Sequence, residues 1–158
     1  MNIVLDIDKV DYNNIFIDNK TKNTIIDEGI FYKLHYSNHV LSMSNIIIKL
    51  NINIFTALKN YHRYKCVFST DKYQTIIDKV SMLEQNILLE LYKNRNNKNR
   101  NNNDYYKQPN YNVSTLLRSG CFKLSKYSGC DNNIALKISG IWETESNYGL
   151  TYKFIALS

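Results

Sequence analysis

The sequence predicts an α+β fold that is mainly β, with an antiparallel sheet, open or curled into a barrel, and one long helix. Several segments alternate apolar and polar residues with the two-residue period of a half-buried strand. Residues 71–93 instead repeat their apolar side chains with a helical period. The length of 158 residues is that of one ordinary domain. We therefore predict a single domain over residues 1–158.

The segments before the helix predict the first strands of the sheet. Short apolar runs at residues 3–7 and 14–17 are strand candidates at the start of the chain. The alternation becomes clearer at residues 31–36 and again at residues 63–69. It is cleanest in residues 45–55, where one predicted face carries Ile46, Ile48, Leu50, Ile52 and Ile54. These segments predict three core strands before the helix.

The helix is predicted to start at Asp71, which can cap the first turn, with Gln74 three residues later as in a capping box. Its apolar residues recur as far as Leu91. The chain then enters NRNNKNRNNN, which has no apolar residue. Such a segment cannot bury enough surface to offset the entropy of ordering it. We therefore predict a mobile Asn-rich loop over residues 94–112.

A further strand is predicted at residues 121–127, and the chain closes in a β-hairpin. Strict alternation in the first hairpin strand places Lys137 with Ser139 and Ile141, opposite a face made of Leu136, Ile138, Gly140 and Trp142. The return strand turns Lys153 away from a face made of Tyr148, Leu150, Tyr152, Phe154 and Ala156. Three strands, a helix and three strands is the order of an OB-like barrel. An open curled sheet packed on one helix would show the same order.

The charge is unevenly distributed along the chain. The formal net charge is +6, but residues 1–30 carry three basic and six acidic side chains, whereas residues 31–158 carry 17 basic and 8 acidic ones. We call residues 1–30 the acidic leader. A basic body suggests a polyanionic partner, because lysines that neutralise phosphates release counterions. A solubilising charge without any partner gives the same composition.

Catalytic and metal-binding signatures are missing from the sequence. His35 and His39 fall on a predicted strand and turn, where a spacing of four does not bring two imidazoles together. The three cysteines lack zinc spacing and are expected to be reduced thiols. Phosphate-binding loops, nucleophile elbows and HExxH motifs are also absent. Glu143 and Glu145 form a pair of carboxylates, which we expect to be solvated in a turn. The sequence therefore predicts a protein that is not an enzyme and needs no cofactor or metal.

No apolar stretch reaches the roughly 18 residues of a membrane span. The first ten residues include Asp6 and Asp8 and do not resemble a secretory signal. We therefore expect an intracellular protein without a membrane partner.

Basic and aromatic residues interleave in several predicted strands, as in proteins that bind single-stranded nucleic acid. Alternation, however, puts neighbouring residues on opposite faces, so tyrosines such as Tyr32 and Tyr152 are expected in the core. The lysines lie opposite the apolar faces and are predicted to hold phosphates, while Tyr36 or Trp142 stacks on bases. The predicted nucleic-acid-binding residues are Lys33, Tyr36, Lys49, Lys65, Lys137, Trp142 and Lys153.

Two segments carry a resemblance to a known family: FYKLHYSNHVLSMSNIIIKL and LKISGIWETESNYGLTYKFI. The first matches at Tyr36, Ser37, Leu41 and Asn45, and the helix holds a glutamate, Glu84. The second matches at Lys137, Ser139, Gly140, Trp142, Glu143, Gly149, Thr151, Lys153 and Phe154. On these residues the chain resembles a family of small, largely uncharacterised proteins of nucleocytoplasmic large DNA viruses with a closing LKISGIWE...GLTYKF motif. Ile46 departs from the glycine that the family often has there.

The resemblance implies a viral origin and a location in the host-cell cytoplasm, at sites of viral replication, or in the virion. It is also compatible with the single-stranded DNA-binding proteins of such viruses, which have barrel folds. Our first hypothesis is a non-enzymatic protein that binds single-stranded DNA or RNA. The alternative is a viral structural or assembly protein whose partners are other viral proteins. A third hypothesis, an enzyme acting on nucleic acid, needs a convergent acidic or histidine site. A single groove containing the five lysines favours the first hypothesis, and scattered lysines favour the second.

Overall fold

A computed structural model of the protein describes residues 3–25, 29–98, 107–129 and 133–157. Its helices are α1 (Gln74–Lys98) and α2 (Asn112–Arg118), and a 3-10 turn over Asp71–Tyr73 leads into α1. Its strands, in chain order, are β1 (Leu5–Asp6), β2 (Ile15–Lys22), β3 (Ile30–Ser37), β4 (Ser42–Met43), β5 (Ile46–Lys49), β6 (Thr56–Asn60), β7 (Arg63–Val67), β8 (Gln108–Asn110), β9 (Cys121–Leu124), β10 (Ile134–Glu143) and β11 (Asn147–Ala156).

The main sheet is organised around the closing hairpin, in which β10 and β11 pair antiparallel. On the other edge of β10, β5 pairs with residues 135–138 and β3 pairs with residues 140–143. β2 and β4 extend the sheet from β3, while β1 and β8 add in parallel to β5 and β11. The predicted α+β, mainly β fold with one long helix is confirmed. The sheet is mixed instead of purely antiparallel, and over the described residues it is not closed, so an OB-like barrel is not formed.

A β-bulge in β10 changes which side chains face the core. The register slips by one residue between Ile138 and Gly140, where β10 leaves β5 and meets β3. Ile138 and Ile141 both belong to the buried core, although they are three residues apart. Because one extra residue reverses the alternation, Trp142 lies on the same face as Lys137. The predicted faces of Gly140, Ile141 and Trp142 are therefore wrong.

Both helices and a second sheet cover the inner face of the main sheet. The small sheet is antiparallel, in the order β6, β7, β9. Phe122 of β9 stacks on Phe154 of β11, with ring centroids 4.8 Å apart. The buried stripe of α1 confirms the helical period and consists of Ile77, Val80, Leu83, Ile87, Leu88 and Leu91. Because the inner faces of both sheets meet in one core, their outer faces point away from each other.

The boundaries of the helix and the loop differ from the prediction. Asp71 lies inside the 3-10 turn, and Thr70 precedes that turn without a capping side-chain hydrogen bond. The predicted loop at residues 94–112 contains the end of α1, all of β8 and the start of α2. Residues 99–106 of that loop lie outside the described residues. The connection between the elements is therefore shorter than predicted.

The strand boundaries in the first half of the chain also differ. The predicted strand at residues 45–55 ends at Lys49, and Asn51 takes a positive φ of 34°. In the acidic leader, β1 and β2 pair with strands of the main sheet. Asp8 forms an ion pair with Lys79 of α1. The described part of the leader is therefore an edge of the fold.

Candidate nucleic-acid interface

The outer face of the main sheet gathers four of the five predicted lysines. In the register of the sheet, Lys137 lies directly opposite Lys153. Lys33 lies opposite Gly140, one row further along β10, and Lys49 lies opposite Ala135, one row back. Successive rows on one face are about 7 Å apart, since each residue of a strand rises about 3.4 Å. We call this surface the lysine face, and its candidate contact residues are Phe31, Lys33, Lys49, Lys137, Trp142 and Lys153. The register also places His35, Ile47 and Thr151 on it.

The lysine face holds like charges close together. The Cβ atoms of directly opposed residues are about 5 Å apart, and like charges in that position repel each other. Lys33 and Lys153 are exposed, whereas Lys49 and Lys137 are half-buried. None of the four takes part in the ion pairs formed within the described residues. Two acidic residues border this surface: Asp6 lies opposite Lys49 on β1, and Asp18, which pairs with His35, lies in the irregular part of β2 opposite Lys33. An anion bound here would relieve the repulsion.

Two aromatic rings of the lysine face are seated on glycines. Phe31 and Trp142 are directly opposed on β3 and β10, and both are half-buried. A Cβ atom added at Gly149 would lie 2.9 Å from Trp142 Cζ2, and one added at Gly140 would lie 2.6 Å from Phe31 Cε2. The rings therefore occupy the space that side chains at these two positions would fill. Neither ring belongs to the inner core.

Lys65 lies on the other side of the molecule. It is exposed on the outer face of β7, directly opposite Lys123 of β9. Both line an open groove of about 290 Å³ at the tip of the β6–β7 hairpin. We call it the hairpin groove, and its lining residues are Asn60, Tyr61, His62, Arg63, Lys65 and Lys123. The five predicted lysines thus divide four to one between two surfaces.

Tyr36 lies in the core and is only 2% exposed. Its hydroxyl oxygen accepts hydrogen bonds from the backbone N–H of Asp11 and from Asn14 Nδ2, each at 3.4 Å. A ring enclosed in this way offers no face on which a base can stack. Phe31, which we did not predict, is the ring that shares a face with Lys33. Its position was readable from the alternation of β3, because residues 31 and 33 point to the same side.

The buried carboxylates have structural partners. Glu84 of α1 is 0% exposed and accepts hydrogen bonds from the backbone N–H groups of Val113 and Ser114 at 3.0 and 2.9 Å, and from the Ser114 hydroxyl. It therefore caps the first turn of α2. Glu143, expected to be solvated, is only 4% exposed and lies 2.6 Å from Lys107 Nζ. The bulge turns Glu143 inward, which corrects that expectation.

Burial also affects two proton-binding groups. It raises the pKa of the Cys66 thiol to about 11. Burial, reinforced by the nearby charge of Glu84, raises the pKa of Tyr152. Among the described residues, no three His, Cys, Asp or Glu side chains converge on a possible metal position. None of the described helices is long and apolar enough to cross a membrane.

Comparisons with models of protein families, with curated proteins and with solved structures find no match to this chain.

Proposed function

We propose that the protein binds single-stranded DNA or RNA along the lysine face, without catalysing a reaction. The proposal rests on one observation: the opposed pair Lys137 and Lys153 shares the outer face of the main sheet with the rings of Phe31 and Trp142, which lie over Gly140 and Gly149. Proteins that bind single strands combine cations that follow the phosphates with rings that stack on bases. On this face the groups come from the closing hairpin and from β3 and β5, which pair with β10.

The arrangement of these groups supports an extended ligand. The two rings lie at the end of β10 near its turn, and the lysine rows follow along the same face. A nucleic-acid strand along the hairpin would meet the rings first and then rows of lysines about 7 Å apart. Lys137 is half-buried, and a lysine in that state can pack its aliphatic stem on apolar surface while its ammonium stays in solvent. We therefore assign base stacking to Phe31 and Trp142 and phosphate contacts to the lysines.

The setting that we propose rests on the resemblance of the two sequence segments to the viral family. That resemblance supports a role in the replication of a large DNA virus, in the cytoplasm of the infected cell. The closing motif contributes Lys137, Trp142 and Lys153 to the lysine face, and it also contributes Gly140 and Gly149, over which the two rings lie.

Fluorescence anisotropy tests the proposal, with a labelled single-stranded oligonucleotide of about 12 nucleotides, within the usual site size. We expect the logarithm of the binding constant to fall linearly with the logarithm of the salt concentration. The slope should be about −0.7 for each phosphate contacted. The double variant K137E/K153E should weaken binding at least about 10-fold, because each reversal replaces an attraction with a repulsion. DNA and RNA of equal sequence are titrated side by side.

The matched control is K9E/K72E, which changes the net charge by the same amount at two exposed lysines outside both sheets. It should retain affinity within about threefold, since neither lysine belongs to a sheet face and exposed charges are screened by salt. Equal losses of affinity in the two double variants would show that only the overall charge of the protein matters, and would overturn the proposal. An absence of binding by the unmodified protein at low salt would overturn it as well.

The alternative function, assembly through protein contacts, is supported by a different surface. A groove of about 450 Å³ lies between residues 12–17 and α1. Tyr12, Phe16 and Leu89 on its walls are 43%, 45% and 47% exposed. This function predicts a viral protein complex that resists nuclease and survives K137E/K153E. Nucleic-acid binding predicts that the same variant loses its ligand.

A further inference from the structure

The hairpin groove, on the opposite side of the molecule, contains a directly opposed lysine pair like that of the lysine face. Lys65 and Lys123 are directly opposed across β7 and β9, as Lys137 and Lys153 are across β10 and β11. Arg63 lies two residues before Lys65 and therefore on the same face, about 7 Å away. All three side chains are exposed. The groove thus concentrates three cations around one open depression.

The charge of the small sheet is not compensated within the sheet. The residues of β6, β7 and β9 include four basic side chains, Lys59, Arg63, Lys65 and Lys123, and no acidic one. None of these four takes part in the ion pairs formed within the described residues. Such a cluster attracts phosphate, and a guanidinium can bind it with two parallel hydrogen bonds.

An aromatic side chain projects at the rim of this groove. Tyr61 is the first residue of the two-residue turn between β6 and β7, and it is 89% exposed. Its φ of 56° is uncommon for a residue other than glycine. The turn therefore retains a ring at a position where glycine would be less strained. Cations beside an accessible ring are the pattern that single-stranded nucleic acid requires.

The two basic surfaces cannot serve one short segment. Phe122 and Phe154 stack between the inner faces of the two sheets, so the core separates the outer faces. Resting on the function proposed above, we propose that the hairpin groove binds the sugar–phosphate backbone of a second single-stranded segment. One protein molecule then holds two segments at once, one on each side. Arg63, Lys65 and Lys123 contact phosphates, and Tyr61 stacks on a base.

The number of short oligonucleotides bound per protein molecule tests this inference. Native mass spectrometry at low salt should find two oligonucleotides of about 8 nucleotides on each molecule of unmodified protein. Sedimentation velocity determines the oligomeric state under the same conditions. K65E/K123E should bind one and K137E/K153E should bind one. The variant with all four reversals should bind none. Thermal melting of each variant verifies that it is folded.

Energy transfer between oligonucleotides provides a second readout. An equal mixture of donor-labelled and acceptor-labelled oligonucleotides should give transfer on the unmodified protein, because one molecule holds both. K65E/K123E should abolish the transfer while leaving the anisotropy of the site on the lysine face unchanged. The control K9E/K72E should keep both signals.

The outcomes separate this inference from the function on which it rests. Suppose that one oligonucleotide binds, that K65E/K123E leaves this binding unchanged and that K137E/K153E abolishes it. The second site is then overturned and the lysine face is retained. Suppose instead that one oligonucleotide binds and that only K65E/K123E abolishes it. The lysine face is then overturned and the groove is the single site, so the two-segment inference is overturned as well. A stoichiometry of two that falls to one in each double variant supports both.

Discussion

The lysine face and the hairpin groove share an opposed lysine pair, but they differ in how their aromatic rings are held. On the lysine face, Phe31 and Trp142 are half-buried over glycines of a hairpin whose two strands each have ten residues. In the groove, Tyr61 is 89% exposed at the tip of a hairpin whose two strands each have five residues. Charge alone therefore indicates where phosphates can bind. The seating of the rings indicates where a base can stack without reorganisation.

This difference has an energetic consequence. Ordering an exposed, rotamer-rich side chain on binding costs about 0.5–1.5 kcal/mol. Tyr61 would incur that cost, whereas the packing of Phe31 and Trp142 on the sheet has already restricted their rotamers. We expect the lysine face to bind more tightly, and the groove to bind more weakly and with a larger relative contribution from charge. The following changes disturb the comparison, from the largest expected effect to the smallest.

Removal of the Glu84 carboxylate should disturb both surfaces together, because α2 packs between β9 of the small sheet and β11 of the main sheet. Glu84→Ala leaves the N–H groups of Val113 and Ser114 buried without their acceptor. We expect a loss of about 3–5 kcal/mol in the free energy of unfolding, measured by urea denaturation. The pKa of Tyr152 should also fall toward its ordinary value, which ultraviolet titration measures.

Glu90→Ala is the control for this change, since Glu90 is exposed on the same helix. Its effect should stay within about 0.5 kcal/mol. A Glu84→Ala protein as stable as the Glu90→Ala protein would show that the cap on α2 does not hold the sheets together.

Alkaline pH should weaken the small sheet from its inner side. Burial raises the pKa of the Cys66 thiol from the ordinary 9.0 to about 11. The folded protein keeps this proton while the unfolded chain releases it, so the stabilisation is complete below pH 9 and is lost as the pH rises to 11. At about 1.4 kcal/mol for each pH unit, the free energy of unfolding should fall by roughly 2–3 kcal/mol.

The difference between matched variants isolates this contribution. Cys66→Ala should remove that part of the alkaline loss, whereas Cys121→Ala should retain it because Cys121 lies on the outer side of the same sheet. Denaturation curves at several pH values from 8 to 11 provide the comparison. Parallel alkaline losses in both variants would refute the role of Cys66.

Local sequence pattern was sufficient for much of this fold. The period of α1, the inward side chains of β11 and the pairing of the closing hairpin depend on neighbouring residues, so the sequence predicts them. The bulge between Ile138 and Gly140 does not follow from alternation, because it arises where β10 exchanges one partner strand for another. Parallel pairing of β1 and β8 likewise depends on contacts between distant segments.

The candidate site shows the same division. Lys33, Lys49, Lys137 and Lys153 were predicted on outward faces because each alternates with buried neighbours. That they share one sheet face depends on strand order, which no local pattern reveals. Trp142 was predicted as a contact but was assigned to the wrong face, since a single extra residue reverses every later position. The separation of Lys65 follows from its membership in a second sheet.

Loss of the seated ring should weaken the lysine face alone. Trp142→Ala removes a stacking surface worth about 1–3 kcal/mol, so affinity should fall roughly 5- to 150-fold at constant salt. The slope of affinity against salt should not change, because no phosphate contact is lost. Trp142→Phe is the control and should recover most of the affinity. A change in the salt slope without a loss of stacking would assign Trp142 to backbone positioning instead.

Relief of the strained turn should separate stability from binding in the hairpin groove. A side chain in a left-handed backbone position costs about 1–2 kcal/mol, and Tyr61→Gly relieves this strain. Glycine also raises the conformational entropy of the unfolded chain, which offsets part of the gain. The net gain should be about 0.5–1 kcal/mol, or a rise in Tm of roughly 1–4 °C. Binding of the second oligonucleotide should weaken severalfold, because the ring at the rim is gone. Asn51→Gly is the control, since Asn51 also has a positive φ but lies outside the groove, and it should leave binding unchanged. A Tyr61→Gly protein that gains stability and keeps its full second-site affinity would mean that charge alone operates the groove, so that the two surfaces differ in kind as well as in strength.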